Sequence, residues 1–150
     1  MSIFSQEMIL IKQNVENKTD CLNMMIDHMY QNGILADKDK FQASVYDREN
    51  TMSTGIGRGI AIPHGRCSAV NKLTCMLMTL ENPIDFEAID DEPVQILFML
   101  AIPDQSNNEY MKILAQISKF MRDSEKRNEI LRVNNIREAF NFVKGIENEI

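Results

Sequence analysis

The chain has 150 residues, 44% of them hydrophobic and 25% charged, which suits a single globular domain over 1–150 with its own core. Its 16 basic residues are outnumbered by 22 acidic ones, a net charge of −6 that argues against nucleic acid as the main partner. The longest strongly apolar run, Ile96 to Ile102, is far short of a membrane span, and no basic-then-apolar leader opens the sequence.

Cys21, Cys67 and Cys75 form no CxxC pair, and an odd count of thiols suits a reducing cytosol, so the expected location is cytoplasmic. Eleven methionines and no tryptophan predict a soft, adaptable core.

In chain order, Met8 to Lys12 reads as a first strand. Thr19 or Asp20 is placed to cap a helix whose buried face is Leu22, Met25, Ile26 and Met29, spaced i, i+3, i+4, i+7, with Gly33 ending it. Asp37 is placed to cap a second helix reaching about Arg48, with Phe41, Ala43, Val45 and Tyr46 as its apolar face. The period then changes. Gly59 to Pro63, Leu73 to Leu80 and Val94 to Ile102 are short apolar runs that read as buried strands, the last two ended by Pro83 and Pro103.

After Pro103 the helical period returns. Asn107 or Asn108 precedes a stripe of Ile113, Leu114, Ile117 and Phe120, and Ser124–Leu131 and Ile136–Val143 are two further short helices. Strands in the middle with helices on both sides predict an α/β protein, a three-layer α/β/α sandwich with a central mixed sheet flanked by helices.

The segment Ser53-Thr54-Gly55-Ile56-Gly57-Arg58-Gly59-Ile60-Ala61-Ile62-Pro63-His64-Gly65-Arg66 carries the chemistry. Pro63 fixes the backbone ahead of the His64 ring, and Gly65 permits close approach after it. A neutral imidazole is a competent nucleophile for phosphoryl groups near pH 7. Gly55, Gly57 and Gly59 could turn backbone N–H groups toward phosphate oxygens, Thr54 offers a hydroxyl, and Arg48 offers a charged fork.

Each also has a plainer reading. A lone histidine is more often structural, a GxGxG before a strand is commonly a turn, and an arginine at a helix end is usually surface. His64 and Cys67 have no second pair to complete a metal site, so none is expected. His28, inside the first helix, reads as structural or solvent-facing. From spacing alone the segment is an anion-binding loop with a histidine.

Arg48-Glu49, then Ser-Thr-Gly-Ile-Gly and Gly-Ile-Ala-Ile-Pro-His-Gly-Arg, resembles the phosphorylation-site signature of type-2 EIIA components of the phosphoenolpyruvate-dependent sugar phosphotransferase system. The wording is nearer to the fructose branch than to the mannitol one, and nearly the whole chain fits the family's size and order of elements. The resemblance implies that His64 accepts a phosphoryl group from the carrier HPr and passes it to a cysteine on EIIB, which serves the membrane component EIIC. It implies that Arg48 stabilises the phosphoryl group, that the glycine loop frames the nucleophile, and that no cofactor or metal takes part. Contact with a membrane would be indirect, through EIIB and EIIC. Apolar residues should surround His64, because two partners dock there in turn.

One departure stands out. Many members of the family have a second histidine at the start of the helix after the last core strand, where this chain has Asn107-Asn108-Glu109-Tyr110-Met111. Tyr110 can donate a hydrogen bond to a phosphate oxygen but cannot carry positive charge at neutral pH. Sugar-uptake phosphotransfer, a nitrogen-type regulatory module switched by phosphorylation at His64, and an anion-binding domain without phosphohistidine remain as functional readings, in that order.

Overall fold

The structure, a computed structural model, describes residues 2–149. After a 3₁₀ turn at Gln6–Met8, the elements run β1 (Ile9–Gln13), α1 (Lys18–Gln31), α2 (Lys38–Thr51), β2 (Gly55–Gly57), β3 (Ile60–Ala61), β4 (His64–Cys67), β5 (Thr74–Ile84), β6 (Val94–Pro103), α3 (Glu109–Phe120), α4 (Ser124–Arg132) and α5 (Ile136–Glu147). The sheet has six strands in the order β1-β5-β6-β3-β2, with β4 also paired to β6. It is mixed: β1 with β5, β3 with β6 and β4 with β6 are parallel, and β5 with β6 and β2 with β3 are antiparallel.

The layers are the expected ones. One face of the sheet packs on α1 and α2 through Met8, Met25, Met29, Met76, Met78 and Met99 together with Leu22, Phe41 and Val45. The other packs on α3, α4 and α5 and is dominated by isoleucine, among them Ile60, Ile62, Ile96, Ile102, Ile113, Ile117 and Ile130. The Met-rich side can adapt to irregular gaps, whereas β-branched side chains are stiff at χ1.

Local structure refines several expectations. α1 is capped by Asn17, whose side chain accepts the Asp20 N–H, so Thr19 and Asp20 lie in the first turn. It ends as expected at Gly33, at φ +78°, with the Gly33 N–H on the Tyr30 carbonyl and the Ile34 N–H on the Met29 carbonyl. Asp37 caps α2 through the Lys40 N–H, and the helix runs one turn beyond Arg48, to Thr51.

The buried stripe of α2 is Phe41, Val45 and Glu49, spaced i, i+4, i+8, while Ala43 points to solvent. Pro83 does not end β5. The strand passes through it to Ile84, because the register with β6 shifts between Thr79 and Ile84 and leaves Glu81, Asn82 and Pro83 exposed.

The predicted strand Gly59–Pro63 is part of a longer run. Ile60 lies opposite Ile96, Ala61 opposite Leu97 and His64 opposite Leu100, so β3 and β4 keep one register along β6. The break between them is local: Pro63 has no N–H to donate, but its carbonyl still accepts the Leu100 N–H. His64 thus begins a strand, β4, that sequence periodicity did not reveal. Cys21, Cys67 and Cys75 are free thiols. Among the described residues no helix is long and apolar enough to cross a membrane.

Candidate functional site

Side chains alternate along the strand that carries His64. Residues paired in register share a face, so His64 projects with Leu100, on the side where Ile60 and Ile62 pack, and Gly65 projects with Ala101 toward α2. Gly65 has no room for a side chain: a Cβ there would lie 3.0 Å from Ser44 Oγ, 3.0 Å from Val45 Cγ2 and 3.1 Å from Phe41 Cε1. The close approach that the glycine permits presses β4 onto α2. The Ser44 hydroxyl closes the same contact, donating to the Arg66 carbonyl at 3.1 Å and accepting the Arg66 N–H at 3.0 Å.

His64 is half-buried, and its Nδ1 lies 2.9 Å from the Ile62 carbonyl oxygen. A carbonyl can only accept, so Nδ1 carries the proton and Nε2 keeps the lone pair. The ring's pKa is lowered from its ordinary value. Burial is the main cause, the Arg48 charge adds to it, and the Ile62 bond and the Glu49 charge oppose it. The result is a neutral imidazole whose Nε2 keeps its lone pair.

Arg48 and Glu49 are neighbours at the end of α2 with opposite fates. Arg48 is half-buried and donates through Nη1 to the Met52 carbonyl at 2.5 Å, close enough for its charge to act on His64. Glu49 is buried, with its side chain 3% exposed. Its carboxylate accepts the Thr54 N–H at 3.1 Å and the Thr54 hydroxyl, and pairs with Lys18 Nζ at 2.9 Å. Removing one partner from such a buried pair costs about 3–5 kcal/mol. Lys18 also stands 4.6 Å from the centre of the Phe86 ring.

The structure brings together some of the residues singled out in the sequence and separates others. Thr54 is buried and its hydroxyl is engaged by Glu49, so it faces the scaffold instead of an incoming phosphate. Gly55 lies opposite Ala61 and Gly57 opposite Ile60, about 10 and 13 Å back along the strand from His64 at ~3.3 Å per residue. Gly57 borders Ser118, Met121 and Arg122 at the far end of α3. These glycines serve the β5–β6 loop instead: a Cβ on Gly55 would sit 2.7 Å from Ala88 Cβ, and Gly57, at φ +102°, faces Asp90.

Tyr110 lies at the near end of α3, half-buried, with the Arg66 guanidinium 5.5 Å from its ring centre. Arg66 shares the His64 face and bonds through Nη2 to the Asp104 carbonyl at 3.2 Å and the Ser106 carbonyl at 2.5 Å. Site selection from the sequence passed over Arg66 and Glu49. Arg66 was visible only as the residue after His64-Gly65, whereas Glu49 occupies a position on the α2 stripe where an apolar residue would be expected.

Met52 at the end of α2 and Met111 at the start of α3 are exposed, at 62% and 56%. A cavity of about 740 Å³ lies elsewhere, between the end of β1 and α1, lined by residues that include Gln13, Asn23, Asp27 and His28. It does not include His64. His64 itself is half-buried at the start of β4. Among the described residues no three His, Cys, Asp or Glu side chains gather as a metal cluster.

Comparison with known proteins bears on the family and the fold. Residues 2–145 match the family profile described as "Phosphoenolpyruvate-dependent sugar phosphotransferase system, EIIA 2". The chain is 30% identical over 125 residues to a PTS system fructose-specific EIIA component of Haloferax volcanii, covering 83% of this chain and 81% of that one. It is 31% identical over 123 residues to a nitrogen regulatory protein of Escherichia coli K12, covering 81% and 75%. Its fold resembles that of a chain in the complex of enzyme IIAMTL and phosphorylated enzyme IIBMTL from Escherichia coli, with a TM-score of 0.80 at 17% identity over 95% of this chain and 99% of that one.

Proposed function

The chain belongs to the type-2 EIIA family of the phosphoenolpyruvate-dependent sugar phosphotransferase system, and on that premise we propose that it carries a phosphoryl group on His64 Nε2 between two protein partners. The observation that carries this reading is the Nδ1–H bond to the Ile62 carbonyl, which fixes the tautomer and leaves Nε2 as the nucleophile. The donor is the phosphohistidine of HPr. The Nε2 lone pair forms the new N–P bond as the donor's P–N bond breaks, and that bond's electron pair returns to the donor nitrogen. The proton on Nδ1 stays in place against the Ile62 carbonyl. No cofactor enters the scheme.

Arg48 neutralises charge on the transferring group, and Arg66, stacked on Tyr110, supplies a second cation on the His64 face. Tyr110 itself offers a hydroxyl but no charge. The acceptor is a cysteine on EIIB, and the protein works in the cytoplasm as a single domain. The known pairing of IIAMTL with phosphorylated IIBMTL supports this choice of acceptor.

The likeness to nitrogen regulatory proteins favours a second reading, in which phosphorylation of His64 switches binding to a regulatory partner instead of feeding a sugar transporter. Incubation with phosphoenolpyruvate, Enzyme I and HPr, followed by intact-mass analysis, tests the shared step. One acid-labile phosphoryl group on the wild type and none on His64→Ala is the expected result, and unphosphorylated wild type would overturn it. Onward transfer to a cysteine-bearing EIIB separates the two readings.

A further inference from the structure

The hydrogen bonds around His64 form a connected series that extends well beyond the ring. Lys18 Nζ contacts the Glu49 carboxylate, which accepts both the N–H and the hydroxyl of Thr54. The Thr54 carbonyl accepts the Ile62 N–H at 3.0 Å, and the Ile62 carbonyl accepts His64 Nδ1–H at 2.9 Å. From the carboxylate onward each bond fixes the next: Glu49 holds the N–H and hydroxyl of Thr54, the Thr54 carbonyl holds the Ile62 N–H, and the Ile62 carbonyl holds the imidazole. Because the N–H and carbonyl of one residue belong to different peptide units, the series transmits position, and the Glu49 charge reaches the ring through space.

We propose that Glu49, paired with Lys18, is a positioning residue for His64: it holds the Thr54 and Ile62 backbone so that the Ile62 carbonyl fixes the Nδ1–H tautomer, and its own charge stabilises positive charge on the ring. This inference rests on the phosphotransfer reading only for its effect on rate. In that reaction the ring gains positive charge as Nε2 forms its bond to phosphorus while Nδ1 keeps its proton. A negative charge at the other end of the series lowers the energy of that product. No proton moves along the peptides.

The charged groups that act on the ring are Arg48 and Glu49 from α2, whereas Arg66, two residues along its own strand, is turned to Tyr110 of α3 and to the Asp104 and Ser106 carbonyls. Arg48 and Glu49 act on His64 in opposite directions. Arg48 favours the neutral nucleophile before transfer, and Glu49 favours the charged ring after it. Thr54 joins the series because both its N–H and its hydroxyl bind the carboxylate, a role that position along the chain alone would not suggest.

The test uses the full chain with 15N-labelled histidine, where long-range 1H–15N spectra distinguish Nδ1 from Nε2 and His28 serves as internal control. Wild-type His64 is expected as the Nδ1–H tautomer above its titration midpoint. Glu49→Gln keeps the shape and an acceptor for Thr54 but removes the charge. It is expected to lower the His64 midpoint and raise the Nε2–H fraction while leaving His28 unchanged. Phosphoryl acceptance from phospho-HPr should then slow about tenfold at saturating donor, with its dependence on donor concentration unaltered, an effect the size of one hydrogen bond.

Thr54→Val, which removes one of the two bonds to the carboxylate, should give a smaller shift in the same direction, and carries the test if Glu49→Gln does not fold. A wild-type Nε2–H tautomer, or a folded variant with wild-type tautomer, midpoint and rate, would overturn the proposal. If wild type is never phosphorylated yet the tautomer responds to Glu49→Gln, the positioning role stands and the phosphotransfer reading falls.

Discussion

The two sides of the strand carrying His64 are built in opposite ways. Toward α2, Gly65 meets Phe41, Ser44 and Val45 with no space for a methyl group. On the other side the imidazole is half-buried with one nitrogen committed to the Ile62 carbonyl. The immobile side positions the open one: a nucleophile on a surface can be held to a fraction of an ångström when the backbone beneath it is clamped from behind.

The comparison breaks first at His64 itself. His64→Ala should abolish phosphoryl acceptance while changing stability by no more than about 1 kcal/mol in urea unfolding, because the ring makes one backbone bond and is half exposed. Arg48→Ala should slow acceptance about a hundredfold, read in single-turnover transfer from phospho-HPr, and still fold. Gly65→Ala attacks the clamped side. It should cost about 1–3 kcal/mol by overpacking and reduce transfer through displacement of β4, although no reacting group is touched.

Acidification sharpens the contrast more gently. Burial holds the His64 pKa below its ordinary value, so the neutral nucleophile should persist below pH 6.5 before acceptance declines. The folded state then binds fewer protons than the unfolded one in that window. Stability should therefore fall as pH drops from 6.5 toward the folded pKa, and His64→Ala should remove that part of the slope. The smallest expected effect concerns the thiols: burial pushes Cys21 to about 12 and Cys75 upward, so alkylation of the folded chain should mark half-buried Cys67 alone.

What was legible in the sequence followed from local rules. The Leu22, Met25, Ile26, Met29 face of α1 and its Gly33 stop depend on period and backbone freedom within a few residues, and both are present. His64 stood out because Pro63 and Gly65 restrict and free the chain on either side. Contacts made across long sequence separations were harder to read. Nothing within Gly55-Ile56-Gly57 reveals that Ala88 and Asp90 will pack against it, so the turn resembled a phosphate cradle.

Glu49 was hidden for a different reason. An apolar stripe is found by looking for apolar residues, and a carboxylate satisfied by Lys18 and Thr54 occupies a buried helix position without matching that pattern. Asn17 was obscured by a run of competing polar residues, any of which could have capped α1.

The satisfied edge of this strand carries a consequence for assembly. Of the outward-pointing peptide groups along 62–66, those of Ile62 are taken by the Thr54 carbonyl and the His64 ring, and those of Arg66 by the Ser44 hydroxyl. A foreign β-strand arriving beside His64 would find the peptide groups of Ile62 and Arg66 already bonded, so no continuous ladder could form there without breaking those bonds.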